Sequence, residues 1–282
     1  MREIDQALLK KVIIERPRSS HKGDYGRLLL IGGTYPYGGA IVMAALGAVR
    51  SGAGLVTVAT DKENILALHS HLPEAMAFDL GDKQLLEQQL QKANIVLVGP
   101  GLVDDESGEE LLQTVFHHSN QDQTLILDGG ALSIFAKGGM KFPKAKLVLT
   151  PHQREWQVLS GLDLDSQGTD ETGEALKRFP SGTILVQKGP ATRIWQAGQT
   201  DCYQLSVGGP YQATGGMGDT LAGMIAGFAG QFPQANLYER VTVATYLHSA
   251  IAQKLSEDNF VVLPTTISQH IPAFMKKIQK DT

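Results

Sequence analysis

Short, continuously apolar runs alternate with longer mixed stretches along most of the chain, and nothing else in it restricts the fold as tightly. The runs are Arg27-Leu28-Leu29-Leu30-Ile31, Leu55-Val56-Thr57-Val58-Ala59, Asn94-Ile95-Val96-Leu97-Val98, Thr124-Leu125-Ile126-Leu127-Asp128, Lys146-Leu147-Val148-Leu149-Thr150 and Ile184-Leu185-Val186-Gln187-Lys188. A strand apolar on both sides must be covered on both faces, which is the habit of parallel sheets rather than of half-solvated antiparallel ones. Helical stretches are expected at 6–14, from 40 to Ser51-Gly52, and at 82–92, 106–118, 130–137, 153–160 and 170–179. Two short strands, 192–196 and 201–205, face each other across Ala197-Gly198-Gln199 as a hairpin. Helices then fill 214–230, 237–255 and 265–280. The expected fold is α/β: three αβα layers around a mostly parallel central sheet with one small antiparallel hairpin, in a single domain over 1–282.

With 282 residues, 42% hydrophobic and 19% charged, the chain suits one large, well-filled core. A net charge of −4 gives no electrostatic case for nucleic acid or an anionic membrane. Cys202 is the only cysteine, so no internal disulfide or cysteine zinc cluster forms, and a small buried apolar role is expected of it. Met1-Arg2-Glu3-Ile4-Asp5 lacks a signal-peptide core, and no apolar segment approaches the ~20 residues that span a bilayer. A soluble, cytoplasmic protein is expected.

Polar and glycine-rich residues gather where the strands end: Gly32-Gly33, Gly99-Pro100-Gly101, Asp128, Thr150-Pro151-His152 and Lys188-Gly189. In open α/β sheets ligands bind beyond the carboxyl ends of the strands. Gly52-Ala53-Gly54 precedes a strand instead of joining strand to helix, the wrong context for a dinucleotide fingerprint. The strongest single segment is Gln212-Ala213-Thr214-Gly215-Gly216-Met217-Gly218-Asp219-Thr220-Leu221-Ala222-Gly223, a loop turning into a helix. Thr214 is the expected N-cap. Gly215, Gly216 and Gly218 bare the backbone, and the first helical N–H groups suit a phosphate or growing oxyanion. A carboxylate repels phosphate, so Asp219 needs a reason to be there. A base that takes a hydroxyl proton beside the phosphate supplies one. The competing reading, an ordinary first-turn acid after a glycine turn, stands on equal terms for Gly-x-Gly-Asp alone.

The wider string Ala-Thr-Gly-Gly-x-Gly-Asp resembles the anion hole and aspartate of the ribokinase-like superfamily. His21-Lys22-Gly23-Asp24-Tyr25-Gly26, Val98-Gly99-Pro100-Gly101-Leu102, Thr150-Pro151-His152-x-x-Glu155 and Lys188-Gly189-Pro190-Ala191-Thr192 join it in this order. Together they resemble the ADP- or ATP-dependent NAD(P)H-hydrate dehydratases, over about residues 21–255, without that family's epimerase domain. The resemblance implies a ribokinase-like fold and a carbon–oxygen lyase. Such an enzyme returns the S epimer of NADHX or NADPHX to the active cofactor, with ADP preferred to ATP and a homotetrameric assembly. It implies that Lys188, Gly189, Pro190, Ala191 and Thr192, with Thr214, Gly215 and Gly218, bind the nucleotide. It implies that Ala40, Gly101 and His152, with Asp219, line the hydrated-nicotinamide pocket.

In that setting Asp219 accepts the ring hydroxyl's proton while the N–H groups from Gly215 through Gly218 hold the moving phosphoryl charge. The same helix end is expected to lower the pKa of Asp219 and weaken it as a base. No metal cage is expected. Mg²⁺ is expected to ride on the nucleotide phosphates, with Glu155 its best protein partner, through water. His152 either donates to the substrate or merely starts a helix, and Lys188 either meets phosphate or is simply solvated. Tyr25, Tyr35 and Tyr37 either stack on a ring or close their own loops. The small residues of 39–52 serve either internal packing or a subunit contact. The other histidines, His248 among them, carry no supporting context, and Trp156 and Trp195 are expected in the core. The chain departs from the family at Gly130, where a second aspartate is usual, and at Gln153-Arg154 in place of Pro-Gly. The alternative enzyme is a ribokinase-like kinase of a small alcohol such as a hydroxyethylthiazole-type vitamin precursor.

Overall fold

The computed structural model describes residues 1–280. Helix α1 (Gln6–Val12) leads into β1 (Arg27–Ile31), α2 (Gly38–Arg50) and β2 (Leu55–Thr60). Then come α3 (Ile65–His71), β3 (Met76–Asp79), α4 (Lys83–Lys92), β4 (Ile95–Val98) and α5 (Glu106–His118). The middle of the chain holds β5 (Thr124–Leu127), α6 (Gly129–Ala136), β6 (Lys146–Leu149), α7 (Gln153–Ser160), α8 (Thr169–Leu176) and β7 (Ile184–Gln187). Strands β8 (Arg193–Gln196) and β9 (Tyr203–Gln204) precede α9 (Met217–Ala229), α10 (Leu237–Leu255) and α11 (Pro264–Lys280).

The strands form one sheet of order β3-β2-β1-β4-β5-β6-β7-β8-β9. Pairings from β3 through β7 are parallel, and β7–β8 and β8–β9 are antiparallel. Successive strand residues point to opposite faces, so each apolar run feeds two cores. Leu28, Leu30, Val56, Val58, Ile95 and Leu97 pack with α2, α9 and α10. Leu29, Ile31, Val96, Val98, Leu125 and Leu127 pack with the α4–α8 side. Trp156 and Trp195 lie in this second core, and Cys202 is buried there.

One element pair was not legible in advance: nothing in 65–79 reads as regular structure, yet α3 and β3 are there. Strand β3 is a four-residue sheet edge with Met76 half exposed, and α3 buries only Leu68. Neither shows the apolar density of an interior element.

Among the described residues, α2 and α9 make the most extensive helix–helix contact. A Cβ at Gly223 would collide with the Ala44 backbone, and one at Gly47 would crowd the Thr220 carbonyl. The small residues of α2 therefore serve internal packing against α9, with Ala44, Ala45 and Ala48 fully buried. That close crossing sets the start of α9 beside the start of α2, at the carboxyl ends of the strands.

Candidate active site

The expected cap at Thr214 is corrected by the structure. The N-cap of α9 is Gly216, in the left-handed region at φ +90°, and the helix starts at Met217. The Thr214 hydroxyl is buried without a partner. A Cβ at position 216 would run into Met43 of α2, with Pro264 of α11 close behind. Only glycine combines that φ with that contact. Beyond the turn, the N–H groups of Gly215, Gly216, Met217 and Gly218 find no carbonyl partner among the described residues. They form a cradle of bare donors at the positive end of the helix. Asp219 stands in the first turn, half-buried.

Opposite the cradle, Lys188 leaves the end of β7 with its side chain 20% exposed. Its Nζ sits 3.2 Å from where a Cβ on Gly218 would be, and 2.9 Å from Asp128 Oδ1. Asp128, at the end of β5, is 2% exposed and also accepts from the Thr150 hydroxyl at 2.6 Å. Burial opposes the charge on Lys188, but Asp128 and Glu155 outweigh it and hold its pKa above the ordinary value. Asp219 behaves oppositely to expectation. Burial first, and then the Asp128 charge, push its pKa up to about 6 against the pull of Lys188 and of its own backbone N–H. A carboxyl in that range is ionised at neutral pH yet retains proton affinity, as a general base requires.

His152 and Glu155 form a reciprocal cap on α7. His152 Nδ1 accepts from the N–H groups of Arg154 and Glu155 at 3.2 and 3.1 Å, while Glu155 Oε2 accepts from His152 N at 2.7 Å. The helix-start role of His152 is thus real, and it has a chemical consequence. With Nδ1 accepting, the proton of the neutral ring belongs on Nε2, which lies 3.6 Å from Glu155 Oε1. Burial and Lys188 lower the pKa of this ring, so it is neutral at physiological pH.

Ala40 and Gly101 meet: a Cβ on Gly101 would lie 3.0 Å from Ala40 Cβ. Thr34 ties the two loops, donating to the Gly101 carbonyl and accepting from Val103 N at 3.0 and 2.9 Å. On the other side of α9, a cavity of ≈570 Å³ is lined by Lys188, Gly189, Pro190, Thr192, Gln212 and Gly218, together with residues of 207–210 and α10. Ala191 and Gly215 are exposed and do not line it, nor does Thr214. Thr192 closes its own turn by a hydroxyl bond to the Gly189 carbonyl at 3.1 Å.

The structure adds two residues to this cluster that the sequence does not single out for it. Asp128 reads in the sequence only as a strand-end polar residue. His248, without supporting context in the sequence, lines the cavity at 4% exposure, with Gln212 Nε2 3.5 Å from its Nδ1. A signal is present in the sequence: Thr245, His248 and Ser249 share one face of α10, at spacings of three and four. Of the two readings open for Tyr25, the structure favours a local packing role. Tyr25 precedes β1, at the sheet's amino end away from the strand-end cluster, where Arg16 stacks on its ring at 3.7 Å. Tyr35 and Tyr37 are at the proper end and exposed, 86% and 57%.

A family model described as NAD(P)H-hydrate dehydratase matches residues 28–273. An ADP-dependent (S)-NAD(P)H-hydrate dehydratase of Streptococcus pneumoniae is 69% identical over 278 residues, covering 99% of this chain and 96% of that one. The chain belongs to the NAD(P)H-hydrate dehydratase family. Two solved structures agree in fold. A ribokinase-like superfamily protein from Enterococcus faecalis matches with TM-score 0.93 at 41% identity, over 99% of this chain and 96% of that one. The ADP/ATP-dependent NAD(P)H-hydrate dehydratase of Bacillus subtilis, co-crystallized with ATP/Mg²⁺, matches with TM-score 0.82 at 29% identity, over 97% of each chain.

Within this dehydratase family the departure at Gly130 has a local cause. A Cβ there would collide with the Leu102 carbonyl, and Gly130 N donates to the Gly99 carbonyl at 3.2 Å. In this chain the two strand-end loops close on each other at that point and leave no room for a second carboxylate.

Proposed function

We propose that this chain dehydrates the S epimer of hydrated NADH or NADPH at the expense of ADP, restoring the active cofactor. The observation that carries the reading is the placement of the Asp219 carboxyl beside the bare amides of Gly215 through Gly218, with Lys188 facing them. The nucleotide occupies the cavity bounded by Lys188, Gly189, Pro190, Thr192 and Gly218, and the hydrated ring sits between Ala40, Gly101, His152 and Asp219. The ring hydroxyl attacks the terminal phosphorus of ADP as its proton passes to Asp219. The phosphorus–oxygen bond to AMP breaks, and the amides hold the charge that grows on the transferred group. Phosphate is a far better leaving group than hydroxide. The ring-nitrogen lone pair expels it, and loss of a proton from the adjacent carbon completes the double bond. His152 donates from Nε2 to the substrate.

Mg²⁺ bound to the nucleotide phosphates supplies charge neutralisation. Glu155 fits as its outer partner: Oε2 is committed to the cap, while Oε1 has only the His152 Nε2 at 3.6 Å. Among the described residues no three His, Cys, Asp or Glu side chains form a metal cage, and no helix is long and apolar enough to cross a membrane. A cytoplasmic homotetramer acting on small molecules completes the reading.

The test is to incubate the protein with hydrated NADH, Mg²⁺ and either ADP or ATP, and to follow absorbance at the reduced-nicotinamide band. Recovery that is faster with ADP is expected. Accumulation of a stable phosphate ester on a small alcohol, with no recovery of absorbance, makes the protein a vitamin-precursor-type kinase instead.

A further inference from the structure

Three charged side chains from three elements converge at the start of α9: Asp128 from the end of β5, Lys188 from the end of β7, and Asp219 itself. Their hydrogen bonds are unequal. Lys188 Nζ is 2.9 Å from Asp128 Oδ1, and no hydrogen bond joins it to Asp219. Asp128 is further fixed by the Thr150 hydroxyl at 2.6 Å and by near-complete burial, so it cannot turn away from the ammonium. The lysine has reach to spare, since its Nζ already lies against Gly218, the residue before Asp219.

We propose that Asp128 is a positioning residue that holds the Lys188 ammonium off Asp219, leaving the Asp219 carboxylate free to take the substrate's proton. This rests on the base role given to Asp219 above. A lysine paired directly with Asp219 would occupy the lone pairs that must receive the proton and would strip them of basicity. Asp128 prevents both effects. It supplies the lysine with a partner, and its own charge offsets the ammonium's pull on Asp219. The lysine stays at the rim of the amide cradle, where arriving phosphate can recruit it as a point charge.

The remaining titratable neighbours act on Lys188 rather than on Asp219. Glu155 of α7 adds negative charge near the ammonium, while His152 of α7 and His248 of α10 are kept neutral by burial and by Lys188 itself. Among the charged side chains, the pair Asp128–Lys188 is therefore what acts on Asp219, on top of its burial.

The experiment is the pH profile of kcat/KM for hydrated NADH at saturating ADP, in the unaltered protein and in Asp128→Asn. Asparagine keeps the shape and the Thr150 contact but removes the negative charge that holds the ammonium. The acid limb of Asp128→Asn is expected about one unit or more lower, as an opposite charge at contact distance produces, with a reduced plateau. A folded Asp128→Asn protein that loses activity with its acid limb unmoved overturns the proposal. Where Asp128→Asn does not fold, the ¹⁵N signal of the Lys188 ammonium decides. A hydrogen-bonded signal retained in Asp219→Asn supports the proposal, and one lost there shows Lys188 paired with Asp219 and overturns it. Absence of any turnover in the unaltered protein would instead reject the proposed function.

Discussion

At position 219, chemistry and stability pull in opposite directions. The pKa of about 6, against an ordinary 3.8, means that the folded chain binds this proton more tightly than the unfolded chain does. Ionising Asp219 therefore costs the fold stability above about pH 6 and costs nothing below the unfolded value. Asp219→Asn is expected to raise stability at pH 8 by up to about 3 kcal/mol, with the gain vanishing near pH 4. The same change should cut turnover by at least ~100-fold, the typical weight of a general base, with nucleotide binding retained. Thermal melts at the two pH values and ADP titration check this. In the unaltered enzyme kcat/KM should fall about tenfold per pH unit below the Asp219 pKa. At the cavity wall, His248 has a pKa pushed down to about 4 by burial and Lys188 and is neutral in use. His248→Ala is expected to raise the ADP KM by about tenfold, the value of one lost buried polar contact, with kcat nearly unchanged. The two residues differ in how far they could be foreseen. Asp219 announces itself because a carboxylate after three glycines is locally odd. Asp128 gains its meaning only from Lys188, sixty positions away and brought beside it by strand order.

Between elements, the decisive contact is α2 against α9. Gly223 lets the Ala44 backbone approach, and Gly216 lets the chain turn under Met43 and Pro264. Gly223→Val is expected to destabilise by roughly 2–3 kcal/mol through overpacking, visible in denaturant midpoint. Its catalytic loss should exceed its folding loss, because the amide cradle moves with the helix. Gly216→Ala should cost about 1–2 kcal/mol for an L-residue held in the left-handed region and lower kcat more than nucleotide affinity. The helix itself was foreseen, but its start was placed at Thr214. A threonine before glycines has the composition of a cap, and only the packing of Met43 reveals that Gly216 performs that role.

Across the whole molecule, sheet order turns scattered motifs into one site. Strands β1 and β4–β7 end on the same side, so Gly101, Asp128, His152 and Lys188 converge there without any sequence proximity. Interior strands were readable because burial on both faces writes a continuous apolar run. The edge strand β3 and the lone buried residue of α3 write almost nothing. Motif position alone leaves the role of Tyr25 open: the segment 21–26 is distinctive, and it anchors the amino end of β1, where Gly26 and Gly54 admit close backbone approaches.

Handing phosphate to the ring oxygen is the claim on which the whole account turns, and oxygen labelling tests it directly. Hydrated NADH carrying ¹⁸O in its ring hydroxyl is turned over with unlabelled ADP, and the inorganic phosphate is examined by ³¹P NMR. The account predicts one ¹⁸O in each phosphate released. Unlabelled phosphate, with the label recovered in water, would show that the hydroxyl leaves without ever being phosphorylated.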